Sequence, residues 1–99
     1  MTTMFVIYPG NADTRFDRDY YISTHLPLVL EAWGAYGLET IAAFFPTGDG
    51  AGTIAIAVCR FRDEAALAAS LDSPQTDRVM ADIKCFTDAV PSQSRVVPL

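Results

Sequence analysis

The residue best suited to acid–base chemistry in this sequence is His25, the only histidine among 99 residues. Histidine titrates near neutral pH, so its imidazole can accept or release a proton under physiological conditions. Its helical neighbours would be Tyr21, Leu28 and Val29, and such an apolar setting tends to keep an imidazole neutral. We therefore interpret His25 as a candidate general base. The alternative is a histidine whose ring nitrogens only bond backbone carbonyls, including any that Pro27 leaves free.

Three side chains close to His25 in the sequence are candidate substrate-binding residues. Tyr20 and Tyr21 point about 100° apart on a helix, so one can face a pocket while the other meets solvent or a dimer interface. Aromatic core packing is the alternative for both. Thr24 can orient a ligand or bond back to its own helix.

The predicted strands contribute three further candidate substrate-binding residues, Tyr8, Phe44 and Cys59. In the strand that contains Cys59, small side chains alternate with large β-branched ones. This leaves volume on one face for either a closely packed helix or a cavity of roughly 300 Å³ or more. No cation stands near Cys59 in the sequence to stabilise a thiolate, so a buried small hydrophobic residue is the main alternative for it.

Other classes of site find no support in the sequence. One histidine and two separated cysteines offer no three-ligand metal site, and the absence of GxGxxG and GxxxxGK[ST] motifs leads us to expect no cofactor. A net charge of −5 with scattered basic residues disfavours nucleic acid. No apolar run reaches about 18 residues and no secretory leader is visible, so we predict a cytoplasmic protein without membrane contact. Cys59 and Cys85 read as reduced thiols.

The elements that must position these residues follow the order β-α-β-β-α-β. We predict strands at residues 4–8, 38–45, 53–61 and 92–97, a first helix capped by Asp13 or Thr14 and ending at Gly37, and a second helix that starts at Asp63, restarts at Pro74 and ends near Ala89. This order is that of the ferredoxin-like α+β sandwich with an antiparallel four-stranded sheet. The length predicts a single domain, residues 1–99.

Pro27 lies in the interior of the first predicted helix, two residues after His25. An interior proline forfeits one backbone hydrogen bond and strains the preceding turn, at a cost of about 3 kcal/mol. We therefore expect a compensating feature, and interpret this helix as the wall of a small-molecule pocket into which it directs His25.

The first three strands are apolar on both faces, for example Phe5 and Ile7 opposite Val6 and Tyr8. Two helices can cover only one face, and the other would expose more apolar area than monomers usually tolerate. We predict a homodimer in which two sheets stack into a dimeric α/β barrel. The alternatives are a monomer with an unusually apolar surface or a cover from a different partner.

The segment Tyr20-Tyr21-x-x-x-His25-x-Pro27-Leu28, which follows a short strand and a Pro-Gly loop, resembles the signature of the EthD family. The resemblance covers nearly the whole chain. It implies a ferredoxin-like homodimer with a pocket near His25, which would be the acid or base, with Tyr21 and Thr24 in the pocket. EthD is tied to a bacterial system that oxidises ethyl tert-butyl ether, and relatives are often labelled reductases. These residues contain no recognisable flavin or nicotinamide site that would support the oxidoreductase label.

Three functions follow from these observations. The first is a cofactor-free acid–base enzyme, an isomerase, cyclase, lyase or EthD-type reductase by family label. It would act on a small, partly apolar metabolite or degradation intermediate with His25 as proton shuttle. The second is a non-catalytic accessory or carrier protein that holds a hydrophobic intermediate for a partner oxygenase. The third is a haem or metal binder with His25 as an axial ligand.

Overall fold

The computed structural model describes residues 1–97, so the last two residues of the predicted domain lie outside it. Four antiparallel strands form one sheet in the order β2-β3-β1-β4. The elements are β1 (Thr2–Pro9), α1 (residues 18–34), β2 (Leu38–Phe44), β3 (Thr53–Phe61), α2 (Glu64–Asp72), α3 (Thr76–Asp82) and β4 (Ser92–Val96), with 3-10 turns at Gly50–Gly52 and Ile83–Cys85. The predicted ferredoxin-like α+β fold is confirmed.

Helix α1 begins later than the sequence predicted. Asp17 is its N-cap, and the Asp17 carboxylate accepts a hydrogen bond from the backbone N–H of Tyr20. The predicted caps Asp13 and Thr14 belong instead to the preceding turn, where the Thr14 hydroxyl accepts from the backbone N–H of Asn11. The prediction of a cap at Asp13 or Thr14 was wrong. The Asn11 side chain accepts a hydrogen bond from the backbone N–H of Asp13, so this stretch forms a turn and not the start of the helix.

Both helical segments also end earlier than predicted. Helix α1 ends at Gly34. The chain continues in a turn to Gly37, whose φ of +116° ends the helical conformation. The last helical segment stops at Cys85 rather than near Ala89. Thr87 pairs with Phe16 as an isolated β-bridge and donates its hydroxyl to the carbonyl of Arg15, which holds this part of the chain out of a helix.

The middle of α1 is a π-helical turn, Tyr21–His25, between an α-helical turn at Arg18–Tyr20 and an α-helix at Leu26–Gly34. The Leu26 N–H donates to the Tyr21 carbonyl, five residues back. Pro27, the second residue of the following α-helix, has no N–H to donate, and a wide turn is one of the few ways a helix accommodates such a break. Tyr21 and His25, the two ends of this turn, are both buried.

The two faces of the sheet differ in what covers them. The inner face packs against the helices and carries buried Met4, Tyr8, Ala57 and Cys59. The strand residues that alternate with these are half-buried and lie on the outer face, together with Phe44, which is 57% exposed. No element within residues 1–97 covers this outer face, and no helix in that range is long and apolar enough to cross a membrane.

Candidate functional site

His25 is buried at the end of the π-helical turn, with 3% of its surface exposed. Its ring stacks on Tyr21 at 5.8 Å between centroids and 18° between planes, and the Phe86 ring lies 4.6 Å away at 54°. Burial among these rings lowers the pKa of His25, and its hydrogen bond to the Asp82 carboxylate opposes this only in part. The imidazole is therefore neutral at pH 7.

Asp82, at the C-terminal end of α3, is the nearest polar partner of His25. His25 Nδ1 lies 2.9 Å from Asp82 Oδ2, and Tyr20 donates its hydroxyl to Asp82 Oδ1 at 2.7 Å. Burial alone would raise the pKa of Asp82, but the hydrogen bonds from Tyr20 and His25 outweigh it, and the pKa of this carboxyl is lowered. Asp82 is thus an ionised carboxylate with both oxygens engaged.

Sequence reasoning missed Asp82, although one signal pointed to it. Val79, Ile83 and Phe86 form the buried stripe of this helical segment, and Asp82 lies on the same side, three residues after Val79 and four before Phe86. A carboxylate on a buried apolar stripe needs a partner.

A narrow cavity of about 30 Å³ lies beside His25, between helix α1 and the inner face of the sheet. It adjoins a surface groove of about 560 Å³ between the end of α3 and the start of β4. The cavity and the groove share four residues, Met80, Ile83, Pro91 and Gln93. Met80 is 39% exposed, and its flexible thioether stands at the junction between the two spaces.

Tyr8, Tyr21 and Cys59 also line the cavity. Burial raises the pKa of both phenols and raises the pKa of the Cys59 thiol to about 12, so all three groups stay protonated at neutral pH. The Tyr21 hydroxyl is fully buried and has no hydrogen-bond partner within residues 1–97. A buried hydroxyl without a hydrogen bond lowers the stability of a protein by about 1–3 kcal/mol. The Tyr21 hydroxyl is therefore a candidate hydrogen-bond donor to a ligand.

The structure separates the sequence-predicted site residues into three groups. His25, Tyr21, Tyr8 and Cys59 come together around the cavity. Tyr20 lies beside this group, bonded to Asp82 and stacked on Phe86, and does not line the cavity.

Two other predicted substrate-binding residues lie away from the cavity. Thr24 is exposed, and its hydroxyl is 3.3 Å from that of Ser23. Phe44 lies on the outer face of the sheet because its strand directs alternate residues to opposite faces, with Ala43 packed in the inner cluster. The correction is that neither side chain belongs to the pocket wall of this protomer.

Across residues 1–97, no group of three or more His, Cys, Asp or Glu side chains is placed to hold a metal ion. Tyr20, Asp82 and His25 form a hydrogen-bonded chain in which only two of the three side chains are of metal-ligating type.

Comparison with solved structures places this architecture among known proteins. An EthD-like protein from Ralstonia eutropha JMP134 matches with a TM-score of 0.81 and 21% sequence identity, over 96% of this chain and 88% of that one. The fold is that of the EthD-like proteins. An ethyl tert-butyl ether D (EthD) family protein from Bacillus halodurans C-125 also matches, with a TM-score of 0.73, 15% identity, and coverage of 100% and 99%. The EthD resemblance of the sequence is confirmed at the level of the fold.

A more distant match with the same fold is SnoaB, a cofactor-independent oxygenase from Streptomyces nogalater. Its TM-score is 0.68 at 9% identity, over 98% of this chain and 92% of that one. No protein-family model matches the sequence, and no curated protein matches it.

Proposed function

We propose that this protein is an EthD-type small-molecule-binding protein that acts as a cofactor-free acid–base enzyme, with His25 moving a proton on a partly apolar metabolite. The observation that carries the proposal is a buried, neutral imidazole beside a cavity that shares four lining residues with a surface groove. A neutral imidazole accepts a proton, and no cation among residues 1–97 lines the cavity to attract a carboxylate there. We therefore propose that the reactive end of the substrate is neutral, with an activated C–H bond next to a carbonyl or lactone oxygen.

The size of the two spaces determines how such a ligand binds. The cavity of about 30 Å³ has room for about one water molecule, whereas the groove of about 560 Å³ lies in the range of small-molecule sites. We propose that the reactive end of the ligand enters the cavity and that its body stays in the groove against Met80, Ile83 and Pro91. The Tyr21 hydroxyl is a candidate donor to the ligand oxygen.

Proton transfer can be tested without knowing the natural substrate. The protein is incubated in D₂O with an unsaturated five-membered lactone, and exchange of the activated C–H is followed by proton NMR. A positioned base contributes roughly 10²- to 10⁴-fold, so the wild type should accelerate exchange and His25→Gln should lose that acceleration. The matched control is Ser23→Ala in the same π-helical turn. This substitution changes only the exposed side of the helix and keeps the cavity intact.

The same experiment separates the enzyme from the carrier alternative. Saturation-transfer NMR reports whether the probe binds, independently of exchange. Binding with no exchange in the wild type, and binding retained in His25→Gln, would favour a non-catalytic accessory protein that holds a hydrophobic intermediate for an oxygenase. Equal exchange rates in wild type and His25→Gln would remove the histidine from the mechanism.

We also propose that the working unit is a homodimer with stacked sheets. The support is the apolar outer face, where Phe5, Ile56 and Val58 lie beside exposed Phe44 and no described element covers them. An uncovered apolar sheet face of this extent is unusual in a monomer, and a two-fold contact would cover it with an identical face.

The two cysteines support a cytoplasmic location, which we propose for this protein. Cys59 is buried and Cys85 is exposed, and both are free thiols. Free thiols persist in reducing compartments, whereas secreted proteins of this size usually pair them.

A further inference from the structure

Both oxygens of the Asp82 carboxylate are committed to side chains from helix α1. Oδ2 lies 2.9 Å from His25 Nδ1, and Oδ1 accepts a hydrogen bond of 2.7 Å from the Tyr20 hydroxyl. The His25 side chain is 4% exposed and that of Asp82 is 15% exposed, so solvent competes little for these bonds. Tyr20 also stacks on Phe86, with 6.2 Å between centroids, which limits the positions its hydroxyl can take.

The chemistry of this chain determines which nitrogen of His25 carries the proton. An ionised carboxylate only accepts hydrogen bonds, so a bond at 2.9 Å requires a proton on Nδ1. In a neutral imidazole the other nitrogen, Nε2, then carries the lone pair. Within residues 1–97, no group bonds Nε2, and the ring borders the cavity.

Tyr20 acts on His25 through Asp82. Its hydroxyl donates to the second carboxylate oxygen, which holds the carboxylate plane and helps keep the group ionised. Cys85 adds a further interaction that lowers the pKa of Asp82. Without these donors, a carboxyl with little solvent would take up a proton more readily and could then donate to Nδ1, which would transfer the lone pair to the wrong nitrogen.

We propose that Asp82 is a positioning residue that locks His25 in its Nδ1-protonated tautomer, so that the lone pair of Nε2 is available to a ligand in the cavity, and that the Tyr20 hydroxyl holds Asp82 in the ionised form that this requires. The use of that lone pair as a base rests on the proposed function. The tautomer itself does not, and it can be measured without a substrate.

The single histidine makes this measurement direct. Two-bond correlations between ring protons and ring nitrogens in ¹⁵N-labelled protein at pH 7.5 or above report the tautomer, with one set of signals to assign. We expect the wild type to be almost entirely Nδ1-protonated. In Asp82→Ala the acceptor is gone, and the signals should shift towards the Nε2-protonated form that free histidine prefers. Asp77→Asn, on the same helix and exposed, is the matched control and should leave the wild-type pattern unchanged.

Tyr20→Phe provides a second variant that keeps the fold's aromatic packing. Loss of the hydroxyl should raise the pKa of the Asp82 carboxyl, followed by its ¹³C signal, while the Nδ1-protonated form persists at neutral pH. A wild-type protein with Nε2 protonated, an unchanged tautomer in Asp82→Ala, or an Asp82 pKa unaffected by Tyr20→Phe would each overturn the proposal. A confirmed tautomer together with no proton exchange on any probe would reject the enzymatic function and leave the positioning role standing.

Discussion

Burial of His25 links protonation to folding. Because the imidazole lies among Tyr21, Phe86 and the cavity wall, its charged form is less favourable in the folded protein than in the unfolded chain. The Asp82 carboxylate reduces this difference without reversing it. The same burial that keeps the base neutral therefore makes the folded state sensitive to acid.

The first prediction is a loss of stability on mild acidification. The pKa of His25 is lowered on folding, so the unfolded state binds the proton first as the pH falls. The free energy of unfolding should be at its full value above about pH 6.5 and should fall as the pH approaches the lowered folded pKa. Urea titrations from pH 8 to pH 5 measure this.

His25→Gln is the control for that prediction, since glutamine does not titrate. The variant should lose the dependence on pH that begins at about pH 6.5 and keep only the acid transition of the carboxylates at lower pH. A slope of the wild-type size in His25→Gln would assign the pH dependence to other groups.

Single residues show clearly what a sequence can and cannot reveal about a site. His25 was identifiable because it is the only histidine and lies beside a helical proline. Asp82 was not, because it is one of many carboxylates, and its role depends on how α3 packs against α1, 57 residues away in the chain. Phe44 was predicted to line the pocket but lies on the outer face of the sheet. Because both faces of the sheet are apolar, the alternation of residues does not show which face the helices cover.

Within the elements, local hydrogen bonds decide where helix α1 starts. Asp17 caps the helix through the Tyr20 N–H, whereas Asp13 is exposed and its backbone belongs to the preceding turn. Asp17→Ala should lower the free energy of unfolding by about 1 kcal/mol, while Asp13→Ala should change it by much less. Chemical denaturation of both variants against the wild type is the measurement, and equal effects would contradict the assigned cap.

A second element-scale prediction concerns two glycines at the end of helix α1, one inside the helix and one just after it. Gly37 has a φ of +116°, and a Cβ added there would overlap the Cβ of Ala66. Gly37→Ala should therefore destabilise the protein by at least about 1–2 kcal/mol. Gly34 is helical with open space around its Cβ position, so Gly34→Ala should be neutral or stabilising by up to about 1 kcal/mol. Thermal denaturation distinguishes the two.

Element order and strand positions were readable from the sequence because Pro, Gly and apolar runs mark them locally; β3 at Thr53–Phe61 was predicted to the residue. The π-helical turn was not, because an i to i+5 bond leaves the same apolar pattern as an α-helix over so few residues. Pro27 indicated only that some accommodation was needed.

For the molecule as a whole, the uncovered outer face of the sheet makes the oligomeric state the main open prediction. Phe44→Glu places a charge at an exposed aromatic side chain of that face. If two sheets stack, sedimentation should show a wild-type dimer that this substitution dissociates, because burying an unpaired charge is strongly unfavourable. Leu30→Glu, on the exposed side of helix α1, is the matched control and should remain dimeric. A wild-type monomer at micromolar concentration would contradict the stacked-sheet dimer.

The wide turn at Tyr21–His25 amounts to one extra residue wound into helix α1. Tyr20 and His25 are five residues apart, and a regular α-helix would turn their side chains about 140° away from each other. The wide turn brings both onto the side of the helix that faces α3, where both reach the Asp82 carboxylate. The arrangement of the site thus depends on the path of the backbone at Tyr21–His25 as much as on the side chains that the backbone carries.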